Sequence, residues 1–227
     1  MHDGGVNPPI IFDLDGTLVD SLPGIAASLN HALEKQGLPT HPEGVVRTFV
    51  GNGLRLLVER GAGEANDAKV DALLEDFKIH YTEHWAEGTR PYRGITQLLM
   101  ELQREGYQLA VLSNKVHDFT QTIARKIFPS VHFMVIQGQE DGIPHKPHPA
   151  GAFKIANSLG RNPRDCILIG DSVADVETAS NADMHFIGVT WGYQDRPRLM
   201  EVGASRFIEN PQGLHSVLRG MGSDVHA

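Results

Sequence analysis

Two aspartates one residue apart, Asp13 and Asp15, end the apolar run Ile10-Ile11-Phe12 and are followed at once by Gly16-Thr17. This is the pattern of a buried strand that delivers two acids to the open edge of a sheet. Other segments end in similar polar groups: Ser113-Asn114-Lys115, and Gly170-Asp171-Ser172 with Asp175 beyond. Lys146 stands in a proline-rich loop, Ile143-Pro144-His145-Lys146-Pro147-His148-Pro149. Three or four carboxylates brought together repel one another unless a cation sits among them. Magnesium suits such a site, because it prefers oxygen ligands and keeps some water. With Mg²⁺ offsetting charge on a phosphate, Asp13 could attack phosphorus and split one hard displacement into two. Asp15 could protonate the leaving oxygen and then activate water. Ser113, Asn114 and Lys146 could hold the phosphoryl oxygens, and backbone N–H groups after Gly16 could add donors.

These residues need a scaffold that brings them to one rim. The continuous apolar run over 10–14 predicts a strand buried on both faces, as in a parallel sheet. Ser21 is placed as a helix N-cap with Pro23 in the first turn. Ile25, Leu29, Ala32 and Leu33 then follow at helical spacing. Residues 45–60 read as helix, loop, helix around Gly51-Asn52-Gly53, and Val70, Leu73, Leu74, Phe77, Tyr81 and Trp85 as one long helix. No strand is expected between 19 and 89. Beyond that block, strands over 108–112, 133–136, 166–169, 185–189 and 207–208 alternate with helices over 119–127, 149–159 and 173–182. Alternation of this kind predicts an α/β fold with a doubly wound parallel sheet. The expected domains are an α/β core over 1–20 and 90–227 and an inserted all-helical cap over 21–89. Ligands of such sheets bind beyond the carboxyl ends of the strands.

Composition narrows the function. With 41% hydrophobic residues the 227-residue chain can bury a sizeable core. A net charge of -8 argues against nucleic-acid and anionic-membrane partners, and no apolar stretch approaches a membrane span. The single cysteine, Cys166, excludes a disulfide framework, and residues 1–9 lack the basic and apolar regions of a signal peptide. A soluble cytoplasmic protein is expected.

Other readings of the same residues are weaker. An isolated Asp-x-Asp-Gly is common in solvated turns. An EF-hand would need glycine at loop position six, where Leu18 stands. Ser172 lacks the Asp-x-x-His of a lipase-type site and fits a turn or N-cap, and Cys166 lacks the arginine of a cysteine phosphatase. His80 and His84 are four apart but have no metalloprotease glutamate, so they read as surface residues. Phe77, Tyr81 and Trp85 read as core. Arg47 and Arg55 read as surface residues, one of which could pair with a substrate carboxylate. Thr17 either bonds phosphate or caps its turn. Gly51 and Asn52 either form a simple turn or present backbone to substrate.

Taken in order, Asp13-Leu14-Asp15-Gly16-Thr17, Ser113-Asn114, Lys146-Pro147 and Gly170-Asp171-Ser172 with Asp175 resemble the four motifs of the haloacid-dehalogenase superfamily of phosphatases. The resemblance spans most of the chain. It implies Asp13 as nucleophile, Asp15 as acid/base, and Ser113 and Lys146 on phosphate. It also implies Mg²⁺ on Asp13, the Asp15 carbonyl and Asp171, with Asp175 as direct or supporting ligand. Aspartate at position 15 matches phosphatases and phosphomutases rather than dehalogenases. The helical block resembles the superfamily's small α-helical cap. Within it, Arg47-Thr48-Phe49-Val50-Gly51-Asn52-Gly53-Leu54 resembles the substrate-facing loop of phosphoglycolate phosphatases, as does Gly188-Val189-Thr190-Trp191-Gly192-Tyr193 further on. The expectation is Mg²⁺-dependent hydrolysis of a small phosphorylated metabolite, 2-phosphoglycolate foremost, by a monomer or homodimer. The alternatives are a phosphatase of another small substrate, a sugar phosphate or pyrophosphate, a β-phosphoglucomutase-like phosphomutase, and a non-catalytic phospho-ligand binder.

Overall fold

The computed structural model describes residues 7–224, so residues 1–6, on which the reading of an absent leader partly rests, lie outside it. The chain opens with β1 (Ile10–Phe12) and β2 (Val19–Asp20). Four helices follow: α1 (Leu22–Lys35), α2 (Glu43–Val46), α3 (Leu54–Ala62) and α4 (Asp67–His84). After β3 (Arg90–Pro91) come α5 (Ile95–Arg104), β4 (Leu109–Val116), α6 (His117–Ile127) and β5 (Val135–Gln139). The remainder is α7 (Ala150–Ser158), β6 (Ile167–Gly170), α8 (Val173–Asn181), β7 (His185–Val189), α9 (Arg196–Glu201), β8 (Phe207–Ile208) and α10 (Leu214–Asp224).

Six strands form one parallel sheet in the order β5-β4-β1-β6-β7-β8. From β1 the chain builds outward through β4 to β5, then returns to the other side of β1 for β6, β7 and β8. That reversal opens a crevice at the carboxyl ends of β1, β4 and β6, where a doubly wound sheet places its ligand. Side chains alternate across the sheet. Ile10 and Phe12 join one apolar cluster with Leu99 and Ile123, while Ile11 joins the other with Leu112, Leu168 and Ile155. Both faces are therefore dry, which is why these strands carry no polar alternation. Cys166 is one of the buried residues of the second cluster, and burial pushes its thiol up to about 11.

The four helices α1–α4 lie between β2 and β3. Leu29 and Leu33 of α1 are fully buried, as is Leu73 of α4, while Phe77 of α4 is nearly so. Asn66 caps α4 by accepting from the Lys69 amide. The pairing of β2 with β3, Val19 opposite Pro91 and Asp20 opposite Arg90, is a two-stranded antiparallel stem at the point where the chain leaves and re-enters the sheet. This corrects the expectation of no strand from residue 19 onward, since two residues carry no readable periodicity. His80 and His84 are not simply solvated. The His31, His80 and His84 rings stack at 4.3 and 4.4 Å, and His80 Nδ1 is 2.9 Å from Ser28 Oγ.

Two further elements differ from the sequence reading in ways that shape the site. Ser21 precedes α1 but makes no side-chain cap; its hydroxyl donates to Asp15 Oδ1 instead, at 2.5 Å. Strand β4 runs on to Val116, beyond the expected 108–112, with a register shift between Leu112 and Val116. Ser113, Asn114 and Lys115 thus project from extended backbone at the sheet's rim rather than from a loop.

Candidate active site

Asp13 follows β1 directly, and its amide donates to Ile169 O at 2.9 Å, which locks it beside β6. Asp171 follows β6, and Asp175 lies in the first turn of α8. One oxygen from each of these three carboxylates lies within 4.8 Å of the others, and all three residues are buried. Asp175 is held by a reciprocal cap with Ser172: the Ser172 amide and hydroxyl both donate to Asp175 Oδ2, at 3.1 and 2.6 Å. Ser172 is therefore an N-cap. Asp171 accepts from Thr17 Oγ1 at 2.9 Å and from the Tyr193 amide at 2.7 Å. Thr17 is consequently spent on Asp171 rather than free for a phosphate.

Lys146 reaches into this cluster. Its ammonium lies 2.9 Å from Asp13 Oδ1 and 2.6 Å from Asp175 Oδ1, and donates to Leu112 O at 3.1 Å. Burial works against its charge, but Asp13 and then Asp175 outweigh that and hold the Lys146 pKa above its ordinary value. One ammonium does not neutralise three carboxylates. Burial first, then Asp175, pushes the Asp13 pKa well above the usual carboxylate range. The same two causes raise Asp171 to about 7. A dry group of hard oxygen donors with excess negative charge suits a hard divalent cation.

Glycines permit this crowding. A methyl group on Gly192 would lie 2.2 Å from Asp171 Cβ. At Gly16, whose φ is +89°, it would lie 2.3 Å from Asp171 Oδ2. We expect Gly192→Ala to displace Asp171, at a cost of about 1–3 kcal/mol for overpacking. Thermal unfolding with and without a divalent cation checks this: Tm falls and the cation's effect shrinks, whereas an unchanged pair of curves would show that Gly192 does not hold Asp171.

Asp15 faces away from the trio. Both its oxygens lie 3.1 Å from Lys115 Nζ, and Ser21 donates to Oδ1. Asp15, expected as a metal ligand through its main-chain carbonyl, keeps its carboxylate out of the cluster. The Tyr193 hydroxyl accepts from the Ser21 amide at 3.0 Å, and the Trp191 indole donates to Thr17 O at 3.1 Å. The segment following β7 thus braces the loop that carries Asp15 and Thr17.

Asn114 is fully used. Its amide donates to Gly51 O at 2.9 Å and to Lys146 O at 3.0 Å, and its oxygen accepts from the Lys146 amide at 2.7 Å. It therefore ties the helical unit's loop to the sheet and seats Lys146, instead of standing open to substrate. Above Asp13 lies a cavity of about 70 Å³. Asp13, Asp15, Ser113, Asn114, Lys115 and Lys146 form its polar floor, and Ile25, Leu54, Leu57, Phe77, Tyr81 and Phe119 are among its walls. Gly51 lines it but Asn52 does not. Phe77 and Tyr81 are core residues that also face this space. Arg47 is elsewhere, donating to Gly192 O at 2.6 Å and Tyr193 O at 2.8 Å, and Arg55 pairs with Glu59 and Asp71. Neither arginine lines the cavity.

Sequence reasoning missed Lys115, Ser21 and Tyr193 as partners of the acids. Lys115 stood directly after a motif, and that adjacency was the one available signal. Ser21 and Tyr193 gave none, because their hydroxyls meet only after folding.

The model of the haloacid dehalogenase-like hydrolase family matches residues 10–189. The chain is 36% identical over 188 residues to the phosphoglycolate phosphatase of Yersinia pestis, covering 81% of each. It is 34% identical over 193 residues to that of Mesorhizobium japonicum, covering 83% of this chain and 85% of the relative. A crystal structure described as "a predicted phosphoglycolate phosphatase" from Haemophilus somnus superposes with a TM-score of 0.87 at 29% identity, over 94% of this chain and 98% of the other.

Proposed function

The chain belongs to the haloacid dehalogenase-like hydrolase family, and from that membership we propose that it is a Mg²⁺-dependent phosphatase of a small phosphomonoester, 2-phosphoglycolate foremost. The observation that carries this reading is the Asp13 carboxylate at the floor of a small cavity, 2.9 Å from the Lys146 ammonium and grouped with Asp171 and Asp175. The names of the relatives at 34–36% identity support phosphoglycolate in particular.

In this reading Asp13 and Asp171 are the carboxylate donors to Mg²⁺, joined by the Asp15 main-chain carbonyl, while Asp175 backs them through Lys146. When bound, Mg²⁺ offsets charge on the phosphoryl oxygens and relieves the mutual repulsion of the acids. An Asp13 oxygen forms a bond to phosphorus as the ester P–O bond breaks, and Asp15 gives its proton to the departing oxygen. Asp15 then takes a proton from water, the water oxygen bonds to phosphorus, and the Asp13–phosphorus bond breaks to release phosphate. Ser113 and Lys146 hold the phosphoryl oxygens, and Asn114 acts by positioning Lys146. Residues 21–89 serve as a cap that excludes water, held closed by the Asn114 bond to Gly51 and the Arg47 bonds to Gly192 and Tyr193.

The test is phosphate release from a panel of phosphorylated two- to six-carbon acids and sugars. The expected result is turnover that requires Mg²⁺ and stops on chelation, with 2-phosphoglycolate giving the highest kcat/KM. No release from any member would end the proposal. Mg²⁺ at a hundredfold over its Kd should also stabilise the fold by about 2.7 kcal/mol. That corresponds to a Tm rise of roughly 5–10 °C for a chain of this size. A Tm indifferent to Mg²⁺ would contradict cation binding among the acids.

A further inference from the structure

Two cationic side chains line the cavity, and they differ in what they have left to give. Lys146 has three acceptors, Asp13, Asp175 and Leu112 O, for its three N–H groups. Among the described residues, Lys115 meets one through hydrogen bonds, with both Asp15 oxygens at 3.1 Å, longer than the roughly 2.7–2.9 Å of a strong charge-assisted bond. Its remaining contact is the face of the Tyr81 ring, 4.8 Å from the centroid. Burial opposes the charge of Lys115, but Asp15 and Tyr81 keep its pKa above the ordinary value. Beside it, the Tyr81 hydroxyl is buried without a hydrogen-bond partner among the described residues. Lys115 and Thr89 approach that hydroxyl, yet neither reaches hydrogen-bonding geometry, and Thr89 donates instead to Trp85 O at 2.6 Å. A buried polar group left without a partner is destabilising, so the Tyr81 hydroxyl is a standing demand for a ligand.

We propose that Lys115, with the Tyr81 hydroxyl beside it, receives an anionic group on the leaving portion of the substrate, a carboxylate one or two carbons from the ester oxygen. The inference rests on the phosphatase reading above and deepens it. Three observations converge on it. The walls supplied by Ile25, Leu54, Leu57 and Phe77 are apolar, and an anion placed among them must find a cation. Arg47 and Arg55 are committed elsewhere, and Lys146 stands between Asp13 and Asp175, where the reading above gives it to the phosphoryl group. The Asp15 oxygens and the Lys115 nitrogen are 3.1 Å apart, so a molecule whose ester oxygen meets Asp15 and whose anion meets Lys115 must carry the two close together. When Asp15 turns to the ester oxygen, Lys115 loses its carboxylate, and a substrate carboxylate replaces it. A neutral leaving group leaves the buried ammonium unpaired, so discrimination enters kcat as well as KM.

The experiment compares kcat/KM for 2-phosphoglycolate and for its neutral isostere, the phosphate ester of glycolamide, in the wild type, Lys115→Met, Lys115→Arg and Tyr81→Phe. We expect the wild type to favour the carboxylate by about 30-fold or more. Lys115→Met should shrink that ratio at least tenfold, Lys115→Arg should keep part of it, and Tyr81→Phe should reduce it about threefold. Tyr81→Phe removes a hydroxyl that bonds nothing, so it folds and keeps the test open if Lys115→Met does not. A wild type indifferent to the carboxylate overturns the inference and leaves the phosphatase reading standing. So does an equal loss on both substrates in Lys115→Met, which would make Lys115 a positioning residue for Asp15 only. Failure of the wild type to release phosphate from either ester overturns the inference, and failure on every other member of the panel as well overturns the phosphatase reading with it.

Discussion

Asp13→Asn is expected to lower kcat for phosphate release by on the order of 10⁴-fold or more, with the fold intact. Removing the nucleophile of a covalent mechanism costs rate on that scale. Asparagine matches the shape of aspartate, so the hydrogen bond that the residue 13 amide donates to Ile169 O and the surrounding packing persist. In the metal-free protein this variant should be no less stable than the wild type. Burial and the neighbouring Asp175 already disfavour the Asp13 charge, and Lys146 retains Asp175 as a partner. The expected pattern is thus lost turnover, an undiminished Tm in chelator and a smaller Mg²⁺-induced rise. Wild-type turnover in the variant would remove Asp13 from the chemistry.

Lys146→Met is expected to damage stability as well as activity. The ammonium is buried and touches Asp13, Asp175 and Leu112 O, so its loss strands two carboxylates without their cation. Removing one member of a buried charge group costs about 3–5 kcal/mol. For a chain of this length that is a Tm drop of roughly 6–20 °C. Adding Asp175→Asn should recover part of the stability, because one stranded charge is gone, without recovering activity. If Lys146→Met unfolds at the wild-type temperature, the ammonium is not the counter-ion that the geometry implies.

The parts of the site that the sequence made legible are those whose types are rare in apolar company. Asp13 and Asp15 after Ile10-Ile11-Phe12, and Asp171 after Ile167-Leu168-Ile169, mark strand ends because a continuous apolar run can only be a buried strand there. Order along the chain then sufficed to place them at one rim of the sheet. What remained hidden were the destinations of individual polar atoms. Thr17 looked free for phosphate but donates to Asp171, and Ser21 had the composition of a helix cap but serves Asp15. Arg47 stood in a segment suited to substrate contact, yet its guanidinium crosses to Gly192 and Tyr193, far along the chain. The Thr17 and Arg47 choices are made between segments brought together by folding, where local spacing carries no information, and the Ser21 choice turns on the path of the loop between residues 15 and 21. The β2–β3 stem was missed for a different reason, its length of two residues per strand.

The geometry also divides the two adjacent acids by environment. Asp13 shares a dry cluster with two carboxylates and one lysine, whereas Asp15 sits opposite Lys115, Ser21 and the cavity. In the proposed mechanism these two environments carry separate tasks, one toward phosphorus and one toward the departing oxygen.

The most direct measurement is chemical trapping during turnover. The protein is mixed with 2-phosphoglycolate and Mg²⁺, quenched in acid within one turnover, and treated with borohydride, which reduces an acyl phosphate to the alcohol. Peptide mass spectrometry should then find homoserine at position 13 and at no other aspartate, and only when Mg²⁺ was present. Unmodified Asp13 alongside full release of phosphate, or reduction at a different carboxylate, would contradict the account.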